Sequence, residues 1–404
     1  MNTRILHVID SMDPASGGAP AAIRQLLPHL RDMGADGEVV CFDGRGRAAW
    51  PDEPFPVHRL GPGSGPWRYH PGFAGWLRRE LPRFGACIVH GLWLYNGHAT
   101  TKTVLALRRT GAATAVHVMP HGMLDPWFQR ARHRRLKALR NRIWWHVVEA
   151  STVRRCDGLL FTTEEERRLA STTFPGYRPA AEAVIGLGTD APPDFHDGMR
   201  EAFRAACPGL GERPYLLFMG RIDAKKGLDI LLRAWSDLVG TESRRGDMPA
   251  LVVAGPGWET PYGRGLLSSI SADHGLRTHM LSAGMLSGAA KWGALYGCDA
   301  FVLPSHQENF GVAVAEALSC GRPALLARGV NTYITVTNMR AGLSCEHSRA
   351  EVSRMLAGWL SLDGAERTRM SAAAWRTWQE HFTSRAAARR LIGAVFPRLT
   401  LHGD

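Results

Sequence analysis

The chain has 404 residues, of which 45% are hydrophobic and 21% are charged, which is typical of two ordinary globular domains that each bury a sizeable core. The formal net charge of +12 is compatible with nucleic acid, anionic membrane lipid or phosphorylated substrates as partners, and by itself selects none of them. The seven cysteines are scattered, odd in number and never spaced as CxxC, which argues against a disulfide framework or a zinc site.

The start of the sequence predicts a strand rather than an export signal, because its apolar run is too short and ends at Asp10. No apolar run approaches the roughly 18 residues that a membrane span needs. We therefore expect a cytoplasmic protein with buried thiols in a reducing compartment, at most peripheral to a membrane.

Short runs rich in Val, Ile and Leu alternate with helical segments along the whole chain, a pattern typical of buried parallel strands in βαβ units. In the first half, the predicted strands are 4–10, 38–42, 87–92, 114–119 and 158–163, with helices at 19–33 and 127–155. In the second half, the predicted strands are 215–219, 251–254, 280–283, 300–303 and 324–327, with helices at 227–238, 287–296 and 312–319.

A segment rich in Pro, Gly and charge, 172–213, separates the halves and predicts a linker with a boundary near 187–214. The expected fold is α/β, with two Rossmann-like domains facing across a cleft. The expected domains are 1–187 and 188–383, followed by a C-terminal helix at 384–404 that packs back on the first domain. Ligands of open α/β sheets bind beyond the carboxyl ends of strands, so the loops that follow strands are where motifs matter.

One such loop, 220–227, follows the strand 215–219 and combines glycines with cations. Gly220 and Gly227 allow sharp turns, Arg221 offers a planar fork of donors, and Lys226 adds a point charge. A helix that begins at Gly227 adds its N-terminal amides. The loop predicts phosphate binding, although a solvated loop with incidental charges is the alternative.

A second loop, 304–311, leads into an apolar helix and carries two glutamates eight residues apart. Glu308 lies in the loop, and Glu316 lies on the helix amid an apolar run where a charge is costly unless it is paired. Gly311 permits close backbone approach at the helix start. The two carboxylates predict binding of two groups of hydroxyls on one ligand.

These motifs together resemble the group 1 glycosyltransferases, a large retaining family with the GT-B fold. The Glu-x7-Glu signature is matched by Glu308 and Glu316, and the Gly-Arg…Lys-Gly loop is matched by 220–227. The resemblance spans nearly the whole chain and includes Gly17-Gly18, Gly188-Thr189-Asp190 and Gly255-Pro256-Gly257.

The resemblance implies a role for each matched residue. It implies that Glu316 binds the donor ribose, and that Arg221 and Lys226 neutralise the departing diphosphate. It implies that Glu308 holds the donor sugar together with three backbone amides, those of Asn309, Phe310 and Gly311. It further implies that Gly17 and Gly18 approach the phosphates and acceptor, although Pro20 removes one amide from that loop and leaves its exact contacts open.

In the first half, the loop 120–127 resembles a subgroup associated with exopolysaccharide and lipopolysaccharide assembly. The resemblance implies that His121 faces the donor sugar, whereas His117 lies inside a strand and is predicted to be core. The aromatic loop 90–98 is suited either to sugar stacking or to hydrophobic packing. Seven Arg or Lys residues fall within 130–142 between flanking aromatic residues, which indicates either a solvated helix face or contact with a membrane or lipid-diphosphate.

The residues and the resemblance together predict a metal-independent, retaining glycosyltransferase that takes a UDP- or GDP-sugar and a saccharide acceptor. The resemblance implies that 1–187 is the acceptor side and that 188–383 binds the nucleotide-sugar. The resemblance to the polysaccharide-assembly subgroup implies an acceptor that is lipid-linked at the inner membrane face. The predicted catalytic residues are His121, Glu308, Arg221 and Lys226, with no metal site and no cofactor. The rivals are a non-catalytic nucleotide-sugar-binding or scaffold protein of the same fold, a nucleic-acid-binding protein, and an NAD-linked dehydrogenase. No nucleic-acid motif supports the second of these, and no GxGxxG follows the first strand to support the third.

Overall fold

A computed structural model of the chain describes residues 2–13, 16, 18–44, 53–130, 135–242 and 248–399. The chain divides into two compact units. The first comprises Met1–Asp190 together with Thr383–Asp404, and the second comprises Ala191–Phe382. The sequence analysis placed these divisions after residues 187 and 383.

The first unit alternates strands with helices from its start. Its strands are β1 (Ile5–Val8), β2 (Gly37–Cys41), β3 (Val57–Arg59), β4 (Ala86–His90), β5 (Ala115–Met119), β6 (Gly158–Phe161) and β7 (Glu182–Val184). Its helices are α1 (Gly18–Asp32), α2 (Phe73–Glu80), α3 (Tyr95–Arg108), α4 (Trp127–Arg130), α5 (Arg135–Trp144), α6 (Ala150–Arg155), α7 (Glu164–Ala170) and the late helix α17 (Ser384–Val395). A 3-10 turn covers Leu81–Arg83 and a π-helical turn covers Trp145–Glu149.

The described strands of this unit form one parallel sheet in the order β3-β2-β1-β4-β5-β6-β7. The inner strands are buried on both faces, which explains their continuous apolar sequences. The strand order reverses between β1 and β4, and such a switch point opens a crevice at the carboxyl edge of a sheet.

The late helix α17 closes one face of the first unit by packing against α1. Leu391 and Ile392 of α17 are fully buried in the same cluster as Ile23 and Leu27 of α1. The C-terminal segment is therefore part of the first unit's core rather than an appendage.

The second unit also alternates strands with helices. Its strands are β8 (Tyr215–Met219), β9 (Ala250–Ala254), β10 (Met280–Gly284), β11 (Ala300–Leu303), β12 (Ala324–Ala327) and β13 (Gly342–Cys345). Its helices are α8 (Asp197–Ala206), α9 (Leu228–Glu242), α10 (Pro261–Ala272), α11 (His274–His279), α12 (Gly288–Gly297), α13 (Val312–Ser319), α14 (Tyr333–Asn338), α15 (Arg349–Ser361) and α16 (Gly364–Thr377). A 3-10 turn covers Ala224–Lys226 and a π-helical turn covers Trp378–Phe382.

The strands of the second unit also form a parallel sheet, in the order β10-β9-β8-β11-β12-β13 within the described residues. Its order reverses between β8 and β11, which places the loops after these two strands side by side. Two α/β units with parallel sheets confirm the predicted fold class.

The structure corrects three sequence predictions. Strands β3, β7 and β13 were not predicted, because they are only three or four residues long and half of their positions or more are not fully buried. The predicted linker 172–213 contains β7, which pairs with β6, and α8, which packs against α12. The single helical stretch predicted at 127–155 is instead α4, α5, a π-helical turn and α6, and residues 131–134 lie outside the described part.

All seven cysteines are buried and free, as the sequence predicted. Within the ranges that the structure describes, no helix is both long and apolar enough to cross a membrane.

Candidate functional site

The loop after β8 is shaped by close contacts that only glycine permits. Gly227 has a φ of 69°, and a Cβ at this position would collide with the carbonyl oxygen of Pro304 in the loop after β11. The backbone N–H of His306 donates to the Lys225 carbonyl at 2.8 Å across the same junction. The two loops are therefore joined backbone to backbone.

This junction places Lys226 against Glu308. The Lys226 Nζ forms an ion pair with Glu308 Oε2, and both side chains are about one-fifth exposed or less, at 17% and 21%. A cation and a carboxylate from separate motifs, 82 positions apart, thus meet at the carboxyl edge of the second sheet. The structure brings together these two predicted site residues.

The backbone of Glu308 is fixed by the loop after β12. Its N–H donates to the Gly329 carbonyl at 2.7 Å, and its carbonyl accepts from the Asn331 N–H at 3.0 Å. The loop after β11 is therefore hydrogen-bonded both to the loop after β8 and to the loop after β12. These bonds restrain the backbone that carries the Glu308 carboxylate.

The helix α13 begins at the end of this loop, where Gly311 is the N-cap with a φ of 74°. The Phe310 side chain is buried and packs edge-on against Phe382 at 5.5 Å, so it belongs to the core. Asn309, Phe310 and Gly311 instead contribute their backbone amides at the helix N-terminus. Such amides are suited to oxygen-rich or anionic groups.

Glu316 lies on α13 as predicted, and its charge has a partner. The Lys291 Nζ on α12 lies 2.7 Å from Glu316 Oε1, with the two side chains 24% and 14% exposed. Lys291 also sits 4.7 Å above the ring of Trp292. Lys291 is a site residue that was not predicted, although it stands out in the sequence as a lone cation in the apolar segment Gly288–Gly297.

Arg221 is exposed at the tip of the loop after β8. Within the described residues it has neither a hydrogen-bond nor an ion-pair partner. The backbone behind it is rigid, because the Gly220 N–H donates to Ala254 at 2.9 Å and a Cβ on Gly255 would collide with the Gly220 carbonyl oxygen. A guanidinium on a fixed loop beside the Lys226–Glu308 pair is suited to an anionic ligand.

In the first unit, His121 lies just beyond β5 in an unusual backbone conformation. Its φ is 51°, in the left-handed region that non-glycine residues rarely adopt. The next N–H, that of Gly122, donates to the buried carboxylate of Glu166, which also accepts from the backbone N–H and hydroxyl of Thr162. A buried acid therefore fixes the turn that presents His121.

The aromatic loop after β4 is held by a buried glutamate in the same way. Trp93 has a φ of 73°, and its N–H donates to Glu149 Oε1 at 2.7 Å. Tyr95 packs against Trp67 at 5.1 Å. These contacts favour packing for the rings of this loop, one of the two roles that the sequence left open. Burial raises the pKa of Glu149 to about 7, and the Trp93 amide opposes that shift.

The remaining predicted residues of the first unit are placed as follows. Gly18 is the first residue of α1, whereas Gly17 lies outside the described residues. Pro20 sits in the first turn of α1, where a proline is tolerated. His117 is buried within β5, as predicted. In the described part of the chain, no group of three or more His, Cys, Asp or Glu side chains is placed to hold a metal ion.

Comparison with known families assigns both halves of the chain. The family described as "Glycosyl transferases group 1" matches residues 199–376, and the family described as "Glycosyl transferase 4-like domain" matches residues 17–188. The chain belongs to the group 1 glycosyltransferases. The match to residues 199–376 contains Arg221, Lys226, Glu308 and Glu316, so all four predicted site residues of the second unit that bear a charge lie in the matched part.

Relatives of this group 1 glycosyltransferase are about a third identical or less over the regions that match. A D-inositol 3-phosphate glycosyltransferase of Catenulispora acidiphila is 29% identical over 223 residues, which is 53% of this chain and 50% of the relative. The alpha-D-kanosaminyltransferase of Streptomyces kanamyceticus is 32% identical over 191 residues, which is 46% of this chain and 45% of the relative. The matches thus span about half the length of these relatives.

Solved structures show the same GT-B fold. Anabaena HepE, in complex with UDP and glucose, superimposes with a TM-score of 0.70 at 16% identity, over 97% of this chain and 99% of HepE. The sucrose-phosphate synthase of Thermosynechococcus elongatus superimposes with a TM-score of 0.67 at 18% identity, over 98% of each chain.

The buried carboxyl of Glu149 predicts a pH-dependent stability. The unfolded chain loses this proton near the ordinary pKa of 4.5, whereas the folded protein keeps it to about 7. The free energy of unfolding should therefore fall as the pH rises from about 4.5 to 7, by up to about 3 kcal/mol.

The variant Glu149→Gln keeps an oxygen for the Trp93 amide and lacks this titration. Its free energy of unfolding, measured by denaturant titration, should improve relative to the native protein between pH 5 and pH 8. The control Val153→Ala removes buried methyl groups from α6 and should cost the same at both pH values. Parallel profiles for Glu149→Gln and the native protein would contradict the assignment.

Proposed function

We propose that the chain is a retaining glycosyltransferase that moves a sugar from a UDP- or GDP-sugar to a hydroxyl of a saccharide acceptor, with no metal ion or cofactor. The observation that carries this proposal is the contact between Lys226 and Glu308 at the switch point of the second sheet. It puts a cation suited to phosphate and a carboxylate suited to sugar hydroxyls at one place. The complex of HepE with UDP and glucose supports a nucleotide-sugar in this fold.

In this proposal Glu316 binds the ribose hydroxyls, and Arg221 and Lys226 stabilise the charge of the departing nucleoside diphosphate. Glu308 and the amides at the start of α13 hold the donor sugar. Two cations at the diphosphate take the part that a metal ion plays in other transferases. The ion pair with Lys291 orients the Glu316 carboxylate when no nucleotide is bound.

On the first unit, His121 faces the donor sugar, and Gly17 and Gly18 allow the loop before α1 to approach the phosphates and acceptor. We favour attack of the acceptor oxygen from the face that the diphosphate leaves. A covalent intermediate would need a nucleophile near the sugar. Two acids of the first unit, Glu149 and Glu166, are instead buried and accept hydrogen bonds from backbone amides.

The ribose role predicts the effect of Glu316→Gln, which keeps the size of the side chain and removes its charge. Affinity for UDP or GDP, measured by titration calorimetry, should fall about 10- to 100-fold, because charged hydrogen bonds contribute about 1.5–3 kcal/mol. The control Asp237→Asn breaks another ion pair of the second unit, that with Arg349, and should leave affinity unchanged. Unchanged affinity in a folded Glu316→Gln variant would refute the ribose role.

Metal independence predicts that transfer survives chelation. Turnover of a UDP- or GDP-sugar in excess EDTA should match turnover without EDTA, because Arg221 and Lys226 supply the positive charge. Full loss of transfer that Mg²⁺ or Mn²⁺ restores would show that a metal ion is required.

We further propose that the acceptor is lipid-linked, in exopolysaccharide or lipopolysaccharide assembly at the inner membrane face, and that α5 binds the membrane. An exposed apolar row runs along α5 and the following π-helical turn, with its members three or four positions apart on one helix face. The row consists of Leu136, Leu139, Ile143 and Val147, which are 85%, 58%, 57% and 68% exposed.

Cations flank this row. Arg135, Lys137, Arg140 and Arg142 are all exposed on α5. Beside the row, Arg130, Arg135 and Arg142 line one surface groove, a suitable place for a lipid phosphate. Arg132 and Arg134, which belong to the same basic stretch, lie outside the described residues.

This pattern is typical of a helix that lies in the plane of a membrane surface. Apolar side chains gain about 0.8 kcal/mol for each CH₂ that they bury, and each cation near an anionic surface contributes about 1 kcal/mol. Together, the apolar and electrostatic contributions predict reversible, salt-sensitive binding to the membrane surface without a membrane span.

Vesicle sedimentation tests this surface. The native protein should pellet with anionic vesicles at low salt and much less with neutral ones. Replacing the four apolar residues of the row by Ser, or the four α5 cations by Gln, should abolish pelleting. The control Leu267→Ser removes an exposed leucine of the second unit and should pellet normally. If the native protein does not pellet with anionic vesicles at low salt, the membrane-binding role is refuted and the basic segment is ordinary solvated surface.

A further inference from the structure

Three histidines from neighbouring strands form a continuous chain through the first unit. His7 lies in β1, His90 ends β4, and His121 follows β5. His7 Nδ1 lies 2.9 Å from His90 Nε2, and His90 Nδ1 lies 2.9 Å from His121 Nε2. Successive rings are stacked with centroids 5.2 Å apart. The chain crosses the switch point between β1 and β4.

The hydrogen bonds of this chain are coupled. Burial lowers the pKa of His7 to about 3 and that of His121 to about 4, and it lowers the pKa of His90 as well, so all three rings are neutral near pH 7. A neutral imidazole carries one N–H and one lone pair. Each nitrogen pair therefore shares one proton, and the direction of one hydrogen bond dictates the direction of the other.

Two arrangements satisfy this rule. In the first, His7 and His90 both donate from Nδ1, and the proton of His121 sits on its own Nδ1. In the second, His121 and His90 both donate from Nε2, and His7 carries its proton on Nε2. The two arrangements differ in what they leave at the ends of the chain.

The inner end of the chain favours the first arrangement. His7 Nε2 is fully buried and has no hydrogen-bond partner among the described residues. The second arrangement would bury an N–H donor there, whereas the first leaves only a lone pair. Buried donors without acceptors are rarer in proteins than acceptors without donors.

We propose that His90, backed by His7, is a positioning residue that holds His121 in the tautomer with its proton on Nδ1. His121 and His90 line a pocket at the carboxyl edge of the first sheet together with Leu26, Gly186 and Ser384. The proposal rests on the proposed function in one respect, namely that the oxygen which accepts from this N–H belongs to the donor sugar. The chain itself exists without ligand.

The fixed tautomer matters because a free histidine side chain prefers its proton on Nε2. His121 on its own would thus present a lone pair at Nδ1, which cannot donate to a sugar oxygen. The His90 N–H removes that option by occupying the lone pair of His121 Nε2. The turn at His121, held by Glu166, fixes the direction of the ring.

Nitrogen NMR of the protein labelled with ¹⁵N-histidine tests the proposal without ligand or activity, since protonated and unprotonated ring nitrogens have distinct shifts. At pH 7 the native protein should show His121 protonated on Nδ1. The native spectrum alone is decisive, because a proton on His121 Nε2 would mean that the chain runs in the opposite direction.

The variant His90→Asn removes the imidazole and offers an amide oxygen that can accept from a His121 Nε2–H, and His90→Gln is a second variant in case the first does not fold. In either, His121 should revert to the Nε2 proton that free histidine prefers. The control His117→Leu removes another buried histidine of the same sheet and should leave the His121 spectrum unchanged. A His121 that keeps its Nδ1 proton without His90 would overturn the positioning role.

Kinetics supply an independent readout. His90→Asn should lower kcat for transfer and leave KM for the nucleotide-sugar unchanged, because the donor is bound mainly by the second unit. If no nucleotide-sugar is turned over by the native protein, the proposed function fails while the tautomer result stands. If transfer occurs and kcat is unaffected by a changed tautomer, the positioning role is refuted.

Discussion

The close approach of the loops after β8 and β11 is the constraint on which the candidate site depends. Gly227 lets the two loops touch at the Pro304 carbonyl, and this contact sets Lys226 beside Glu308. A side chain larger than hydrogen at Gly227 would push the loops apart and separate the cation from the carboxylate. The neighbouring loop after β12 is hydrogen-bonded to the Glu308 backbone, so three loops meet at this point.

The first unit uses its sheet in the same way. Its strand order also reverses once, and the His7, His90 and His121 chain crosses that point. Two of its left-handed turns, at Trp93 and His121, are each held by a buried glutamate that accepts from a backbone amide. Each unit thus carries polar groups at the place where a parallel sheet opens, and the packing behind them fixes their geometry.

The sequence predicted the buried strands and the motif positions well, because continuous apolar runs and glycine-cation loops are local signals. It could not predict which residues pair. The Lys226–Glu308 and His7–His90 contacts join positions more than 80 residues apart and depend on strand order, which no local pattern specifies. Lys291 stands out locally as a lone cation in an apolar segment, but its pairing with Glu316 on another helix could not be predicted. The short strands β3, β7 and β13 were not predicted, because partly exposed strands lack a strong apolar pattern in the sequence.

We propose that Arg221 and the Lys226–Glu308 and Lys291–Glu316 pairs of the second unit serve one nucleotide-sugar site. The most direct test is a crystal structure of the protein with bound UDP or GDP. The account predicts the ribose hydroxyls within hydrogen-bond distance of the Glu316 carboxylate, and the diphosphate against Arg221, Lys226 and the amides at the start of α13. A nucleotide bound elsewhere, with the Lys226–Glu308 and Lys291–Glu316 pairs undisturbed and remote from it, would contradict the account.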